Sequence, residues 1–377
     1  MLLKKNNINI ALSIFLLLHL FVWTLIPSIS NNNLPLDTIE ALAWGSNLDW
    51  GFSKHPPLSA FFVEFFFIIF GNKDWAYYFL SQIFVIFSFF VVFKFSENFF
   101  NNSYHSLISI LLLEAIYFYN FTTPEFNVNV CQLPFWALSI FYLWKGFKTN
   151  KIYDWLLFGL FSALGILSKY LFIYLLLSID IFFIYLIFKK KFNYKCFVSL
   201  ITFLLTLVPH IIWLTNNDYS TISYALQRTG MDDKNLLDHF IHPLIFFSKQ
   251  IIILIPFLII FSIIISKFKA RFNFKDTKLI FLLIINIIPI LLMLATSLFM
   301  GIKIRTMWMT PFYLFLGTLF LEIFRKNIEM KKIKKFYFFF LFFFILSPSL
   351  YLGISVLDQT KRTDYPGKEI SRLVQNK

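Results

Sequence analysis

The residues best suited to chemistry fall in one stretch, Asp37-Thr-Ile-Glu-Ala-Leu-Ala-Trp-Gly-Ser-Asn-Leu-Asp-Trp-Gly-Phe-Ser-Lys-His-Pro-Pro57. The chain has only 20 Asp and Glu in 377 residues, yet Asp37, Glu40 and Asp49 all lie here, with Lys54 and His55 beside them. Asp37 and Glu40 stand three apart, so one helical turn sets them on a shared face. Two carboxylates that close push one pKa upward, which suits a general base. An exposed pair that keeps a loop solvated has the same spacing. Lys54 and His55 precede two prolines that stiffen the backbone, so their cations are held ready for a phosphate or pyrophosphate. A lysine snorkelling above an apolar helix fits the same residues.

Other candidates lie further along. Lys169, in Gly165-Ile-Leu-Ser-Lys-Tyr170, joins two apolar runs with almost no loop. It either snorkels or binds an anion at the membrane surface, such as a lipid phosphate. Lys303 and Arg305 sit in another short turn, where Arg305 suits bidentate phosphate contacts and Trp308 an interfacial anchor. His210 follows Pro209 in the outer half of an apolar run, as a hydrogen-bonded structural residue, a proton shuttle or a phosphate ligand. Glu114 and Asp180 lie inside apolar runs, where any ionisable group is a functional candidate. There is no Walker loop, dinucleotide glycine pattern or His-rich metal spacing, so the ligand spacing supports no divalent metal or nucleotide cofactor.

The elements that must position these residues are membrane helices. At 58% hydrophobic and 14% charged residues, a soluble domain is excluded. The apolar runs predict an all-α, polytopic integral membrane protein of about eleven spans, near 8–28, 75–94, 105–121, 128–144, 152–168, 170–188, 196–215, 244–266, 278–299, 306–323 and 336–354. A net charge of +14 would suggest nucleic acid in a soluble protein. Here the cations gather in short loops, including Lys4 and Lys5, Lys189–Lys195, Lys267–Lys278 and Arg325–Lys335, which is the positive-inside pattern. That parity leaves out Leu58–Phe70, bounded by Pro57 and Gly71. It is about 20 Å long as a helix, too short to cross, and reads as an outer-face juxtamembrane helix. The N-terminal run reads as an uncleaved first span. Cys131 and Cys196 read as two small apolar residues rather than a disulfide. The chain is expected to form one domain over 1–357, with an outer-face platform at 30–74 and a short periplasmic tail at 358–377.

Asp37 just after the first span, Trp44-Gly45 and Lys54-His-Pro-Pro-Leu58 together resemble the GT-C membrane glycosyltransferases. Phe126-Asn127-Val-Asn129, Leu164-Gly-Ile-Leu-Ser-Lys-Tyr170, Pro209-His-Ile-Ile-Trp213 with Asn217-Asp218-Tyr219, and Trp308 with Pro311 follow in the family's order. The similar branch holds the protein O-mannosyltransferases, the lipid A aminoarabinose transferases and the lipopolysaccharide-core galacturonosyltransferases. The resemblance implies transfer of a sugar from a polyprenyl-phosphate carrier at the periplasmic face, with inversion. It implies Asp37 as base, with Glu40 as the candidate second carboxylate where relatives carry Asp-Glu. Lys54, His55, Lys169 and Arg305 would hold the donor phosphate. Trp44, Glu125, Asn127, Asn129 and His210 would line the substrate groove.

The resulting expectation is a bacterial inner-membrane glycosyltransferase acting on lipid A, lipopolysaccharide core or another envelope glycan. Its partners would be the polyprenyl-phosphate sugar donor, the lipid or glycan acceptor and the bilayer, with no nucleic acid. The alternative is a transporter or lipid flippase without covalent chemistry, whose ionisable groups should lie near the midplane. An envelope polymerase should carry a large Arg-rich outer loop, whereas 216–243 offers only Arg228 and Lys234.

Overall fold

In lipid each backbone amide must find its partner within its own segment, so apolar runs fold as helices. The computed structural model describes residues 5–100, 102–228, 235–358 and 360–376; Lys4 and Lys234 lie outside them. Seven helices are long and apolar enough to span: Asn7–Ser30, Asp74–Ser96, Tyr170–Phe188, Tyr194–Asn216, Asp238–Ile264, Thr277–Met300 and Met330–Leu357. Thr306–Tyr313 and Leu316–Ile323 make an eighth if that pair, bent by 55°, is one span. The other apolar runs fold as shorter pieces. Leu133–Thr149 and Ile152–Ser168 have 17 residues each. Ser103–Leu111 tightens into 3-10 turns at Leu112–Ala115 and Tyr117–Tyr119. The run at 105–121 is therefore not one straight helix. Asn120 Nδ2 donates to Glu114 O at 2.7 Å and Ile116 is extended, so the ladder ends there. Among the described residues there is no strand, and the all-α polytopic membrane fold expected from the sequence is the one found.

Burial follows helix periodicity. Along the first helix Ile10, Ile14, Leu17 and Phe21 are exposed to what would be lipid, while Leu12, Phe15, His19 and Trp23 point inward. Asp74–Ser96 is the most enclosed span, packed against the first helix and Leu133–Thr149. Close approach needs small residues where lipid supplies no hydrophobic drive. Gly159 shows why: a Cβ there would sit 2.0 Å from Ser199 O on the neighbouring helix. Inside the bundle His19 Nδ1 meets Glu114 Oε2 at 2.8 Å, both essentially without solvent contact. Cys131 and Cys196 are buried and unpaired.

The segment that follows the first helix forms a platform. Leu36–Gly45 is a helix, residues 46–57 turn back, and Leu58–Phe70 is a 13-residue helix that ends at Gly71 with φ +61. The two short helices pack closely at Gly45, whose Cβ would lie 2.9 Å from Glu64 Cβ. The C-terminal segment returns to the start of this platform. Asn33 Nδ2 donates to Thr363 O at 2.8 Å and to Tyr365 O at 2.9 Å, and Asn32 Nδ2 donates to Asp364 Oδ1 at 2.9 Å. The helix Gly367–Gln375 follows.

Candidate active site

Pro35 starts the helix Leu36–Gly45, which puts Asp37 in its first turn, where the positive helix end favours a carboxylate. Thr38 is buried, and its Oγ1 donates to Phe126 O at 3.1 Å, pinning this turn to the loop before Asn127. The Asp37 amide donates to Glu125 Oε1 at 3.2 Å. The carboxylate beside Asp37 is thus Glu125. Burial first, and the Asp37 charge second, push Glu125 up to about 7. Glu40, one turn along, is engaged by the Lys54 amine. That hydrogen bond raises the Lys54 pKa against the opposing effect of burial.

The cations face this pair across a cavity of about 390 Å³, lined by Asp37, Glu40, Lys54, His55, Glu125, Asn129, Lys169 and Arg305 among others. Lys169 sits in the extended break between Ile152–Ser168 and the next helix and is only 7% exposed. Its amine is held by Asn129 Oδ1 and lies 5.3 Å from the Trp308 ring centroid. Burial lowers its pKa to about 7, partly offset by the Asp37 charge. His55 enters as a neutral imidazole. Burial, with the charges of Lys169 and Lys54, lowers it to about 3, so it offers one N–H rather than a cation. Lys303 is exposed and does not line the cavity.

Three residues assigned to the groove from sequence stand behind it. Trp44 stacks on Phe52 at 5.2 Å and meets His55 edge-on at 5.9 Å, supporting the loop rather than lining the cavity. Asn127 caps the turn Val128–Cys131, its Oδ1 accepting from the Asn129 amide at 2.9 Å, and so sets Asn129 against Lys169. Asn127 lines the adjoining cavity instead. His210 is 2% exposed and bridges two loops: Nδ1 donates to Trp50 O at 2.5 Å, and Nε2 accepts from the Tyr170 hydroxyl at 2.7 Å. Both ring nitrogens are occupied, and the cavity does not reach them.

Folding adds residues that sequence reasoning did not assign to the site. The helix Ser220–Gln227 is tied to the platform by Thr221 Oγ1 donating to Phe52 O at 2.6 Å. It brings Tyr224 into the wall, with the Arg228 guanidinium 5.6 Å from that ring. Trp308 and Arg362 also line the cavity. Proximity to Arg305 was the available signal for Trp308; Arg362 had none. Among the described residues, no three His, Cys, Asp or Glu side chains converge to hold a metal ion.

The family described as dolichyl-phosphate-mannose-protein mannosyltransferase matches residues 54–213, a stretch that opens on Lys54 and closes on Trp213. Among solved structures the fold matches ArnT from Cupriavidus metallidurans bound to undecaprenyl phosphate. The TM-score is 0.59 at 12% identity, over 88% of this chain and 62% of that one. The apo state of the same protein matches with a TM-score of 0.59 at 12% identity, over 86% of this chain and 61% of that one. The chain thus spans under two thirds of the length of the structures it matches. No curated protein matches by sequence. The chain has the ArnT fold, and its resemblance to the GT-C membrane glycosyltransferases holds in both sequence and structure.

Proposed function

We propose that the chain is a membrane glycosyltransferase that moves a sugar from a polyprenyl-phosphate carrier to an envelope acceptor at the periplasmic face of the bacterial inner membrane. The acceptor classes are lipid A, lipopolysaccharide core or another envelope glycan. The observation that carries this reading is one cavity in which a carboxylate pair, Asp37 and Glu125, faces Lys54, Lys169, Arg228 and Arg305. A sugar phosphodiester needs both halves: a base for the incoming hydroxyl, and cations for the phosphate that leaves with one more negative charge.

In this mechanism the acceptor oxygen attacks the anomeric carbon as its proton passes to Asp37. The bond from that carbon to the phosphate oxygen breaks, polyprenyl phosphate departs, and attack from the opposite face inverts the centre. The base is assigned to Asp37 in the first turn of its helix, and Glu125, pushed up to about 7 chiefly by burial, stands beside it. Glu40 keeps the Lys54 amine oriented, and donor phosphate competes for that amine. His55 supplies a neutral N–H, and Lys169 regains its full charge when a phosphate arrives.

The test is the mass of lipopolysaccharide from a deletion strain complemented with wild type or with Asp37→Ala. The expected result is a lost sugar mass that wild type restores and Asp37→Ala does not. An unchanged glycan profile after deletion argues against an envelope acceptor, and full rescue by Asp37→Ala removes Asp37 as the base.

A further inference from the structure

Two cavities meet at Glu125, Asn129, Met307 and Arg362. One is the cationic cavity around Asp37. The other, of about 520 Å³, is walled by Tyr117, Phe121 and Tyr351, with Asn31, Thr122 and Asn127 between them. Tyr117 and Phe121 stack at 5.7 Å, and Phe121 meets Tyr351 edge-on at 5.8 Å. Aromatic faces interleaved with amides and hydroxyls suit a sugar ring, whose C–H face packs on the rings while its hydroxyls find the polar groups.

Two cations line this second cavity, Lys361 and Arg362, and both come from the C-terminal segment. Lys361 is already occupied. Its amine donates to Ser30 O at 3.0 Å and to Ser355 Oγ at 2.7 Å, and pairs with Asp364 at 3.6 Å. Arg362 differs: it is exposed, it forms no hydrogen bond or close ion pair among the described residues, and its charge acts at longer range on the Glu125 carboxyl. The backbone around it is fixed all the same. Lys361 ties one side, and Asn32 and Asn33 tie Thr363, Asp364 and Tyr365 on the other. A guanidinium on a fixed backbone, with its five donors free of hydrogen bonds, is prepared for an anionic ligand.

We propose that the C-terminal segment completes the site as a latch, and that Arg362 recognises an anionic group, phosphate or carboxylate, on a carbohydrate acceptor. This rests on the transferase reading above. Lys54, Lys169, Arg228 and Arg305 already face the donor phosphate in the adjoining cavity. A fifth cation at the junction, opening onto the aromatic walls, serves the other substrate. Placing an anion there also sets the acceptor beside Asp37 and Glu125, where its hydroxyl must lose a proton.

The test uses the full chain in nanodiscs with two defined probes, octyl glucoside 6-phosphate and octyl glucoside, plus undecaprenyl phosphate as reference for the cationic cavity. Wild type should bind the phosphorylated glucoside about tenfold tighter than the plain one, the factor that one charge-assisted contact supplies. Arg362→Ala should erase that preference while weakening undecaprenyl phosphate binding by a clearly smaller factor, and a melting temperature near that of wild type shows that the variant folds. Arg362→Lys should retain part of it. Asn33→Ala, at a residue that lines neither cavity, should lower the preference in the same direction by freeing the latch. An undiminished preference in Arg362→Ala, or an equal loss of undecaprenyl phosphate binding, would overturn the role of Arg362. An unaffected Asn33→Ala would overturn the latch. If wild type does not bind undecaprenyl phosphate, the donor reading fails instead, and the ratio of the two glucosides still decides Arg362.

Discussion

Donor-lipid binding should weaken steeply above neutral pH, and Lys169 sets the size of the effect. Its pKa falls from 10.5 to about 7 chiefly because its amine is buried, with Arg305 acting the same way and the Asp37 charge opposing both. At roughly 1.4 kcal/mol per pH unit, its charged form is about 4–5 kcal/mol worse off in the cavity than in water. A bound phosphate reverses that preference. Below about pH 7 the amine is already charged; above it, binding must take up a proton and affinity falls about tenfold per pH unit. Glu125 acts in the same direction, since it gains negative charge as pH rises through about 7. The phosphate's own second ionisation, near pH 6, is complete by then. The assay is the Kd of undecaprenyl phosphate for protein in nanodiscs between pH 7 and 9 at constant ionic strength. Lys169→Met should weaken binding at pH 7 about tenfold or more and remove one proton from the slope, and Glu125→Gln should remove the other. A wild-type Kd that stays flat across this range would refute the reasoning, as would a Lys169→Met slope equal to wild type.

Asp37→Asn should lower kcat by about 10²–10⁴-fold, because the side chain keeps its size and loses its basicity; transfer measured at saturating donor separates this from any change in donor affinity, and a kcat within about threefold of wild type would remove Asp37 as the base. Gly51→Val should abolish activity, since even a Cβ at that position would lie 2.2 Å from the Trp213 ring and displace the loop that carries Lys54; retained transfer would show that the loop yields. His210→Phe should cut activity without changing the pH slope of donor binding, because it breaks the bridge from Trp50 to Tyr170, a wall residue of the cavity, and leaves Lys169 and Glu125 in place. His19→Leu should lower stability by about 3 kcal/mol or more by leaving Glu114 buried without its partner, whereas His19→Leu with Glu114→Leu should recover much of the loss; detergent-resistant melting reads both.

Much of the scaffold was legible because its causes are local. Pro57 and Gly71 bound an apolar run of 13 residues, and the helix Leu58–Phe70 has those limits. The helix Tyr170–Phe188 likewise occupies its predicted span. Where the backbone lacks a donor, the apolar pattern misleads. The run at 128–144 instead divides into a turn at Val128–Cys131, capped by Asn127, and a helix at Leu133–Thr149, because Pro134 in the first turn of the second helix has no amide to continue the ladder. The candidate site was legible by residue type and less so by role. Eight of the assigned residues line one cavity, since scarce charges in an apolar chain collect where solvent and substrate enter. Trp44 and His210 hold that cavity's walls from behind.

By itself the sequence determined that this chain is a bundle of membrane helices with its uncommitted charges on the connecting segments. Hydrophobic run length and the cost of unpaired amides in lipid admit no other solution. Helical spacing put Asp37 and Glu40 on one face, but it could not choose their partners. Only tertiary packing decided that Glu40 engages Lys54 while Asp37 meets Glu125, far along the chain. Only packing, too, brought Arg228 and Arg362 to the same cavity. The reason is range: propensity and periodicity act over a few residues, whereas the neighbours of a buried charge are set by which helices pack together.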